Sequence, residues 1–322
     1  MIKKIYIYIA DSVNPYENLA KEEYLFNTLP KDSAILYLWQ NANTVVIGKN
    51  QNPYIECNLD ELKKDNVKLA RRSSGGGAVF HDLGNLNFTF IAGKEDYSVE
   101  RNMEVIKLAC SMAGIKAEIS GRNDILADGR KFSGNAFYNS GGKAFQHGTL
   151  MLFADTQKMQ KYLTPPKAKL QAKGVKSVRS RVVNLTELCP SLDPGKMKEY
   201  MIKAFEEKYN MKAEYINLSD NEDVKKLTEK YGNKGFLYCE TPPFTIYYED
   251  YFPWGSIRVE LNVVKGKIET ATVYTDALET ELPCMIKKAL EGQSFEDEAI
   301  KKGLSENLPE PFLSDILKMY KA

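Results

Sequence analysis

The densest chemical signal in the chain is a glycine-rich run that follows two arginines. It reads RRSSGGGAVFHD from Arg71 to Asp82. Consecutive glycines remove every Cβ that would hold a ligand away from the backbone, so successive N–H groups can bind an anion. The arginines add charge suited to a phosphate or carboxylate. The run is not followed by the G-K-[ST] of a Walker loop, and it lacks the G-x-G-x-x-G spacing of a dinucleotide-binding loop. Taken alone, a plain glycine turn explains it equally well.

Shorter segments downstream carry side chains that could act on a nucleotide. Asn123 and Asp124 precede a predicted strand, where they are turn residues unless the Asp124 carboxylate places Mg²⁺ or a nucleotide. Lys131 is followed by small residues, so its ammonium group could stabilise charge on an α-phosphate, although most strand lysines are simply solvated. His147 opens an apolar strand, either as a buried structural histidine or as part of a ligand pocket.

A basic stretch from Lys158 to Arg181 contains no acidic residue. Such runs usually form solvated faces, but Pro165-Pro166 and Gly174 predict a mobile loop here. Residues 167–181 could then close over a phosphate-bearing ligand or meet an acidic protein partner. Aromatic residues are sparse in the stretch, which disfavours nucleic acid as a partner.

Length and composition favour a soluble two-domain protein. The 322 residues carry 44 Lys+Arg and 43 Asp+Glu, are 43% hydrophobic, and can bury a sizeable core. No apolar run is long enough to span a bilayer, and no signal peptide is predicted, so a cytoplasmic location is expected. The two histidines are too few for a histidine metal cluster. The cysteines predict neither disulfides nor a zinc site, because they are odd in number and widely spread: Cys57, Cys110, Cys189, Cys239 and Cys284.

Local signals predict the elements that position these segments. Residues 4–9 form a strand, and Asn14 caps a helix that starts at Pro15, with Glu17 closing a capping box. Asp128-Gly129 is typical of a hairpin turn. The break at Thr241-Pro242-Pro243 places a boundary near residues 243–253, with a large α/β unit before it and a small α+β unit after it.

These segments, in their order along the chain, resemble the lipoate–protein ligase A family. The similar stretches are RRSSGGGAVFHDLGN from Arg71, GRND from Gly121, KFSG from Lys131, HGTL from His147, KGVKSVRSRVVNLTEL from Lys173, NTVVIG from Asn43, and Trp254-Gly255. The resemblance covers essentially the whole chain. It implies an α+β fold: a biotin–protein ligase-like catalytic domain over residues 1–245, with a mixed sheet flanked by helices, and an accessory α+β domain over residues 253–322.

The resemblance also implies a reaction. The family activates lipoate with ATP and Mg²⁺ to give lipoyl-AMP and pyrophosphate, and then transfers the lipoyl group to a lysine ε-amine of a carrier domain. The expected acceptors are the lipoyl domains of 2-oxoacid dehydrogenase complexes and the glycine-cleavage H protein. Neither nucleic acid, nor a membrane, nor a tightly bound prosthetic group is implied. The acceptor and the use of octanoate stay open, as does the oligomeric state, for which a monomer is the working expectation.

Site residues follow from the matching positions. Lys131 matches the central catalytic lysine, which contacts both the lipoate carboxyl group and the α-phosphate, and Asp124 matches a position near the magnesium. The positions expected to bind ATP or the adenylate are Arg72, Gly77, Ala78, Val79, Phe80, Asn123, Asp124 and Lys131. The positions expected around lipoate are Leu19, Ser74, Gly75, Gly76, His81, Lys131 and His147.

Three alternatives are weighed against this interpretation. A biotin–protein ligase shares the Asn-Asp-Ile and Lys-x-x-Gly pattern but has an arginine-rich loop where this chain has Ser74 to Gly77. Acyltransferases of the same fold carry the acyl group on a cysteine, and no cysteine lies between Cys110 and Cys189. A protein that only binds lipoate or a carrier is disfavoured by the presence of Lys131 and Asp124.

Overall fold

The computed structural model describes residues 1–121, 123–164, 182–238 and 244–321. Its strands are β1 (Lys4–Ile9), β2 (Ser33–Trp39), β3 (Thr44–Ile47), β4 (Lys68–Arg71), β5 (Val79–His81), β6 (Asn85–Gly93), β7 (Ala117–Ser120), β8 (Asp124–Ala127), β9 (Arg130–Ser140), β10 (Lys143–Met151), β11 (Glu214–Tyr215), β12 (Ile246–Phe252), β13 (Gly255–Val264) and β14 (Lys267–Thr275). Its helices are α1 (Pro15–Asn27), α2 (Pro53–Glu56), α3 (Leu59–Lys64), α4 (Val99–Met112), α5 (Thr156–Tyr162), α6 (Leu185–Leu188), α7 (Pro194–Tyr209), α8 (Glu222–Gly232), α9 (Lys234–Tyr238), α10 (Leu282–Leu290), α11 (Asp297–Asn307) and α12 (Phe312–Lys321).

The main sheet is mixed and has helices on both faces. Its strand order is β11-β1-β2-β6-β10-β9-β8-β7, with β1 parallel to β2 and β11 and the other pairs antiparallel. Strand residues alternate between faces, so Leu36 and Leu38 join the core under α4 and α7, whereas Ile35 and Tyr37 join the core under α1 and α8. The predicted α+β class, a mixed sheet flanked by helices, is confirmed.

Two smaller sheets complete the fold. In one, β3 lies between the parallel strand β4 and the antiparallel strand β5. The glycine-rich residues 72–78 connect β4 to β5. In the other, β12, β13 and β14 form an antiparallel meander, called here the C-terminal sheet. Helices α10, α11 and α12 pack on it around a separate core that includes Leu261, Ile286 and Leu304. Strand β12 thus belongs to the C-terminal sheet.

Most local predictions are confirmed, and one is wrong. The Asn14 side chain accepts from Tyr16 N–H and Pro15 starts α1, but the Asn14 N–H donates to Ser12 Oγ at 3.1 Å. Glu17 therefore closes no capping box and instead pairs with Lys21 at 2.7 Å. The turn at Asp128-Gly129 joins β8 to β9, with both residues at positive φ as a type I′ turn requires. The predicted loop at 167–181 and the break at 241–243 lie outside the described residues.

In the described part of the chain, no helix has the length and apolar character needed to cross a membrane.

Candidate active site

A cavity of about 220 Å³ lies where the main sheet, the glycine-rich run and the C-terminal sheet meet. Most of the sequence-predicted site residues line it: Leu19, Arg72, Gly76, Gly77, Ala78, Val79, His81, Asn123, Asp124, Lys131 and His147. Ser74, Gly75 and Phe80 do not line the cavity. The structure therefore brings together four segments that are far apart in sequence.

Phe80 lies outside the cavity because strand residues alternate in direction. Its neighbours in β5, Val79 and His81, line the cavity, so the Phe80 side chain points to the opposite face. There it is buried and packs against Tyr162, with ring centroids 5.2 Å apart. Its contacts support β5 from behind.

Arg72 holds the glycine loop, which we define as residues Ser74–Gly77. Its Nη2 donates to Gly75 O at 2.7 Å and to Gly77 O at 2.9 Å, and its Nε donates to Ser74 Oγ at 3.0 Å. The side chain is buried, and burial lowers the pKa of Arg72 to about 10, so it stays protonated at neutral pH. In this arrangement the guanidinium group fixes the shape of the loop.

Arg71 has a similar role on the other side of β4. Its guanidinium donates to the carbonyl oxygens of Gly48, Lys49 and Gln51, and to Leu237 O at 2.6 Å. Arg71 thus ties the segment after β3 to the end of α9.

The glycines of the loop allow close approach by Ala277 and Leu278, which follow β14 of the C-terminal sheet. Gly76 N–H donates to Ala277 O at 3.1 Å, and a Cβ on Gly75 would lie 2.3 Å from that same oxygen. Gly76 also has a φ of +89°, which an L side chain rarely adopts. Backbone packing therefore explains the glycine at position 75, and backbone conformation explains the glycine at position 76.

Lys131 and Asp124 form an ion pair in the cavity. Lys131 Nζ lies 2.6 Å from Asp124 Oδ1, across the β8–β9 hairpin, and each side chain is about one third exposed, at 36% and 34%. Gly134 leaves room for the ammonium group, since a Cβ there would lie 3.1 Å from Nζ. Asn123 fixes the segment, because its O accepts from Asn135 N–H at 2.8 Å.

His147 belongs to a buried hydrogen-bonded chain. Its Nδ1 lies 2.9 Å from Glu22 Oε1, and its Nε2 lies 2.6 Å from Ser74 Oγ. Because a carboxylate only accepts, Nδ1 donates to Glu22, and in the tautomer with its proton on Nδ1 the ring accepts at Nε2 from the Ser74 hydroxyl. Glu22 Oε1 also accepts from Thr89 Oγ1, which accepts from Trp39 Nε1. The chain connects α1 and the main sheet to the glycine loop.

Sequence reasoning missed Glu22, and a signal for it exists. Glu22 lies three residues after Leu19 on α1, so the two share a helix face. Leu19 faces the cavity and Glu22 is 2% exposed beneath it. An acidic residue on the apolar face of a helix is a candidate for a buried polar contact.

The C-terminal sheet and the residues that follow β14 supply cavity residues that the sequence did not assign to a site. Tyr251, Gly255, Asp276 and Leu278 line the cavity. Asp276 Oδ1 accepts from Ser256 N–H at 2.7 Å, and a Cβ on Gly255 would lie 2.7 Å from that oxygen. Only Gly255 falls in a stretch that resembles the family, and no local pattern assigns any of the four to a site, because their placement depends on how this part of the chain packs against the glycine loop.

Comparison with known proteins establishes the family. A family model described as the lipoyl protein ligase A/B catalytic domain matches residues 14–206, and a model described as the bacterial lipoate protein ligase C-terminus matches residues 241–317. The chain belongs to the lipoate–protein ligase family. A relative named lipoate-protein ligase A, from Bdellovibrio bacteriovorus, is 41% identical to this ligase over 312 residues, which is 94% of this chain and 92% of the relative.

Solved structures agree with the fold of the ligase. The crystal structure of P. falciparum LipL1 in complex with lipoate superposes with a TM-score of 0.87 at 28% identity, over 98% of each chain. A lipoate-protein ligase A bound with ATP superposes with a TM-score of 0.62 at 24% identity, over 74% of this chain and 99% of the other. At 24% identity, the superposition with the ATP-bound ligase shows only that the two proteins share a fold.

Proposed function

We propose that this ligase activates lipoate with ATP in the cavity and passes the lipoyl group to a carrier lysine. The observation that supports this most directly is the Lys131–Asp124 pair at 2.6 Å, placed at a partly exposed part of the cavity. Buried apolar residues, including Leu19, Trp39 and Val46, line the same cavity. A molecule with a carboxylate at one end and an apolar ring at the other suits both parts.

In the first step, a lipoate carboxylate oxygen attacks the α-phosphorus of ATP. A bond from carboxylate oxygen to phosphorus forms, the bond to the β-phosphate oxygen breaks, and pyrophosphate leaves with the electron pair. Two anions must approach each other, so a positive group beside both lowers the barrier. Lys131 Nζ is the cationic group of the β8–β9 hairpin that lines the cavity, and it contacts both reactants in this proposal.

The cavity offers one carboxylate beside Lys131 as a protein ligand for Mg²⁺, with substrate phosphates as the other ligands. This ion is commonly held by one or two carboxylates together with substrate phosphates, and Asp124 is the carboxylate beside Lys131. The described residues contain no group of three or more His, Cys, Asp or Glu side chains able to hold a metal by themselves. When bound, the ion would neutralise charge on the leaving pyrophosphate. Asp124 would then exchange its contact with Lys131 for one with the ion.

In the second step, the carrier lysine amine attacks the lipoyl carbonyl. The new amide bond forms, AMP leaves with the electron pair of the anhydride bond, and the amine loses its proton. Water must be kept from the anhydride until then. Tyr251 and Leu278 of the C-terminal sheet side cover the cavity beside the glycine loop, which supports a role in excluding water.

The cysteines disfavour an acyltransferase of the same fold. The four that the structure describes are Cys57, Cys110, Cys189 and Cys284, and none lines the cavity. Burial raises the pKa of both Cys57 and Cys110 to about 12, so neither provides a thiolate at neutral pH. A thioester route through these thiols is therefore disfavoured.

The acceptors that suit this chemistry are lipoyl domains of 2-oxoacid dehydrogenase complexes and the glycine-cleavage H protein, modified in the cytoplasm. The test is pyrophosphate release with ATP and lipoate, beside biotin and an octanoylated carrier protein, followed by mass measurement of the carrier domain. Lipoate-dependent release and a lipoylated carrier are expected. Release with biotin alone, or acyl transfer without ATP, would refute the proposal.

A further inference from the structure

Two polar atoms at the closed end of the cavity have no partner. Asn87 on β6 is fully buried and His81 on β5 is 3% exposed, and both line the cavity. In the described part of the chain, neither Asn87 Nδ2 nor His81 Nε2 has a hydrogen-bond partner. Buried polar groups are nearly always paired, so two orphans in one cavity require an explanation.

The orientation of the Asn87 amide follows from its neighbour. Asn87 Oδ1 accepts from Asn85 Nδ2 at 2.8 Å, which leaves the NH₂ group unpaired. Asn87 is paired in register with Trp39 of β2 and with Thr149 of β10, both of which line the cavity. The unpaired donor therefore sits in the middle of the main sheet, on the floor of the cavity.

The proton of His81 can be placed from a chain of hydrogen bonds. Asn18 Nδ2 donates to backbone oxygens and also to Asn41 Oδ1 at 3.0 Å, so Asn41 presents its NH₂ group to His81. Asn41 Nδ2 lies 3.2 Å from His81 Nδ1, which must accept. Burial lowers the pKa of His81 to about 3, so the ring is neutral and its one proton is on Nε2. The second orphan is also a donor.

The two donors lie away from the reacting end. Lys131 and Asp124 are each about one third exposed, whereas Asn87, His81 and Trp39 are buried. A lipoate whose carboxylate meets Lys131 therefore directs its ring toward the buried end. A dithiolane ring offers sulfur lone pairs, which are weak hydrogen-bond acceptors, and an alkyl chain offers none.

We propose that Asn87 and His81 select the dithiolane ring of lipoate against acids of similar shape that lack an acceptor. This inference rests on the proposed function. An apolar tail leaves two buried N–H groups unpaired, whereas sulfur gives each a weak partner. Sites built to bond a polar group reject analogues that lack it. Because sulfur is a weak acceptor, kcat/KM for lipoate should exceed that for an acid without an acceptor by about tenfold, and not by several orders of magnitude.

The first test uses the unaltered ligase with three acids. Pyrophosphate release is measured with lipoate, octanoate and 5-cyclopentylpentanoate, which keeps the five-membered ring but replaces both sulfurs with carbon. Lipoate should exceed both of the other acids about tenfold in kcat/KM. Equal values for the two ring acids would overturn the inference. An absence of lipoate-dependent release would instead overturn the proposed function, so the two failures are distinguishable.

The second test removes one of the two donors. In Asn87→Leu, which keeps the branching and the number of side-chain heavy atoms, the ratio of lipoate to cyclopentyl acid should fall about threefold, because the His81 N–H remains. Asn102→Leu is the matched control: it makes the same change at a buried asparagine that does not line the cavity, so its ratio should stay at the unaltered value. An unchanged ratio in Asn87→Leu would show that the donors hold only water, and an equal fall in Asn102→Leu would show a general effect of losing a buried amide; each would overturn the inference. If Asn87→Leu shows no thermal unfolding transition, the three-acid comparison still decides.

Discussion

Gly75→Ala should separate the glycine loop from the C-terminal sheet. The new Cβ would lie 2.3 Å from Ala277 O and 3.0 Å from Leu278 O, both backbone atoms. An ordinary contact needs about 1 Å more than the shorter distance. The loop cannot easily yield, because Arg72 bonds to Gly75 O and Gly77 O. The strain should therefore move Ala277 and break its bond with Gly76 N–H, which is 3.1 Å long.

The expected cost is in catalysis. Leu278 lines the cavity one residue after Ala277, so a displacement of about 1 Å there misplaces one wall of the site. A misplacement of that size can cost about a hundredfold in rate. Pyrophosphate release with lipoate should therefore fall between ten- and a hundredfold in kcat/KM. The cores of the main and C-terminal sheets share no residue, so each should keep its packing.

Gly93→Ala is the matched control. Gly93 lies at the end of β6 and has no positive φ, and a Cβ added there would meet none of the described residues beyond its chain neighbours within 4 Å. Its variant should match the unaltered ligase in rate and in thermal unfolding. If Gly75→Ala also keeps the full rate while the protein is folded, the contact with Ala277 does not position the cavity wall, and the reasoning from the 2.3 Å approach is wrong.

Three more changes test the site. Lys131→Ala should lose most lipoate adenylation while circular dichroism shows an intact fold; near-normal adenylation in the folded variant would contradict the role of the ammonium group. Glu22→Leu should lower the free energy of unfolding by about 1–3 kcal/mol, because the two buried donors on Glu22 Oε1, from Thr89 and His147, lose their acceptor; a denaturant titration measures this, and an unchanged free energy of unfolding would argue against the buried hydrogen-bonded chain. The lowered pKa of His81, about 3, predicts that stability falls with pH below the usual histidine value near 6.5, since only the unfolded chain then gains the proton. Between pH 7 and pH 5 this amounts to about 2 kcal/mol, and His81→Gln should remove that part of the difference; an equal pH dependence in the variant would refute the assignment.

The elements that the sequence predicted best are those with strong local signals. Asn14 before Pro15 fixes where α1 starts, and Asp128-Gly129 fixes the β8–β9 hairpin, because each depends only on neighbouring backbone groups. The Glu17 capping box failed since Ser12 and Lys21 supplied competing partners. A local rule cannot weigh such competition.

The cavity itself was predicted in part. Lys131, Asp124 and His147 were candidates from their own segments, the family resemblance gave them roles, and the structure brings them to one cavity. Glu22 and Asn87 were not found, because their roles depend on partners in other strands and helices: Glu22 on Thr89 and His147, Asn87 on its place in the main sheet. Such contacts are set by strand order, which a single sequence does not display.

The glycine loop shows how one sequence pattern can serve two needs. Three glycines beside arginines predicted an anion-binding loop, yet in the structure Arg72 bonds to the loop and Gly75 meets the backbone of the residues that follow β14. Gly77 keeps its place in the cavity wall. The loop thus has two roles: it connects the main sheet to the residues that follow β14, and it forms one wall of the cavity.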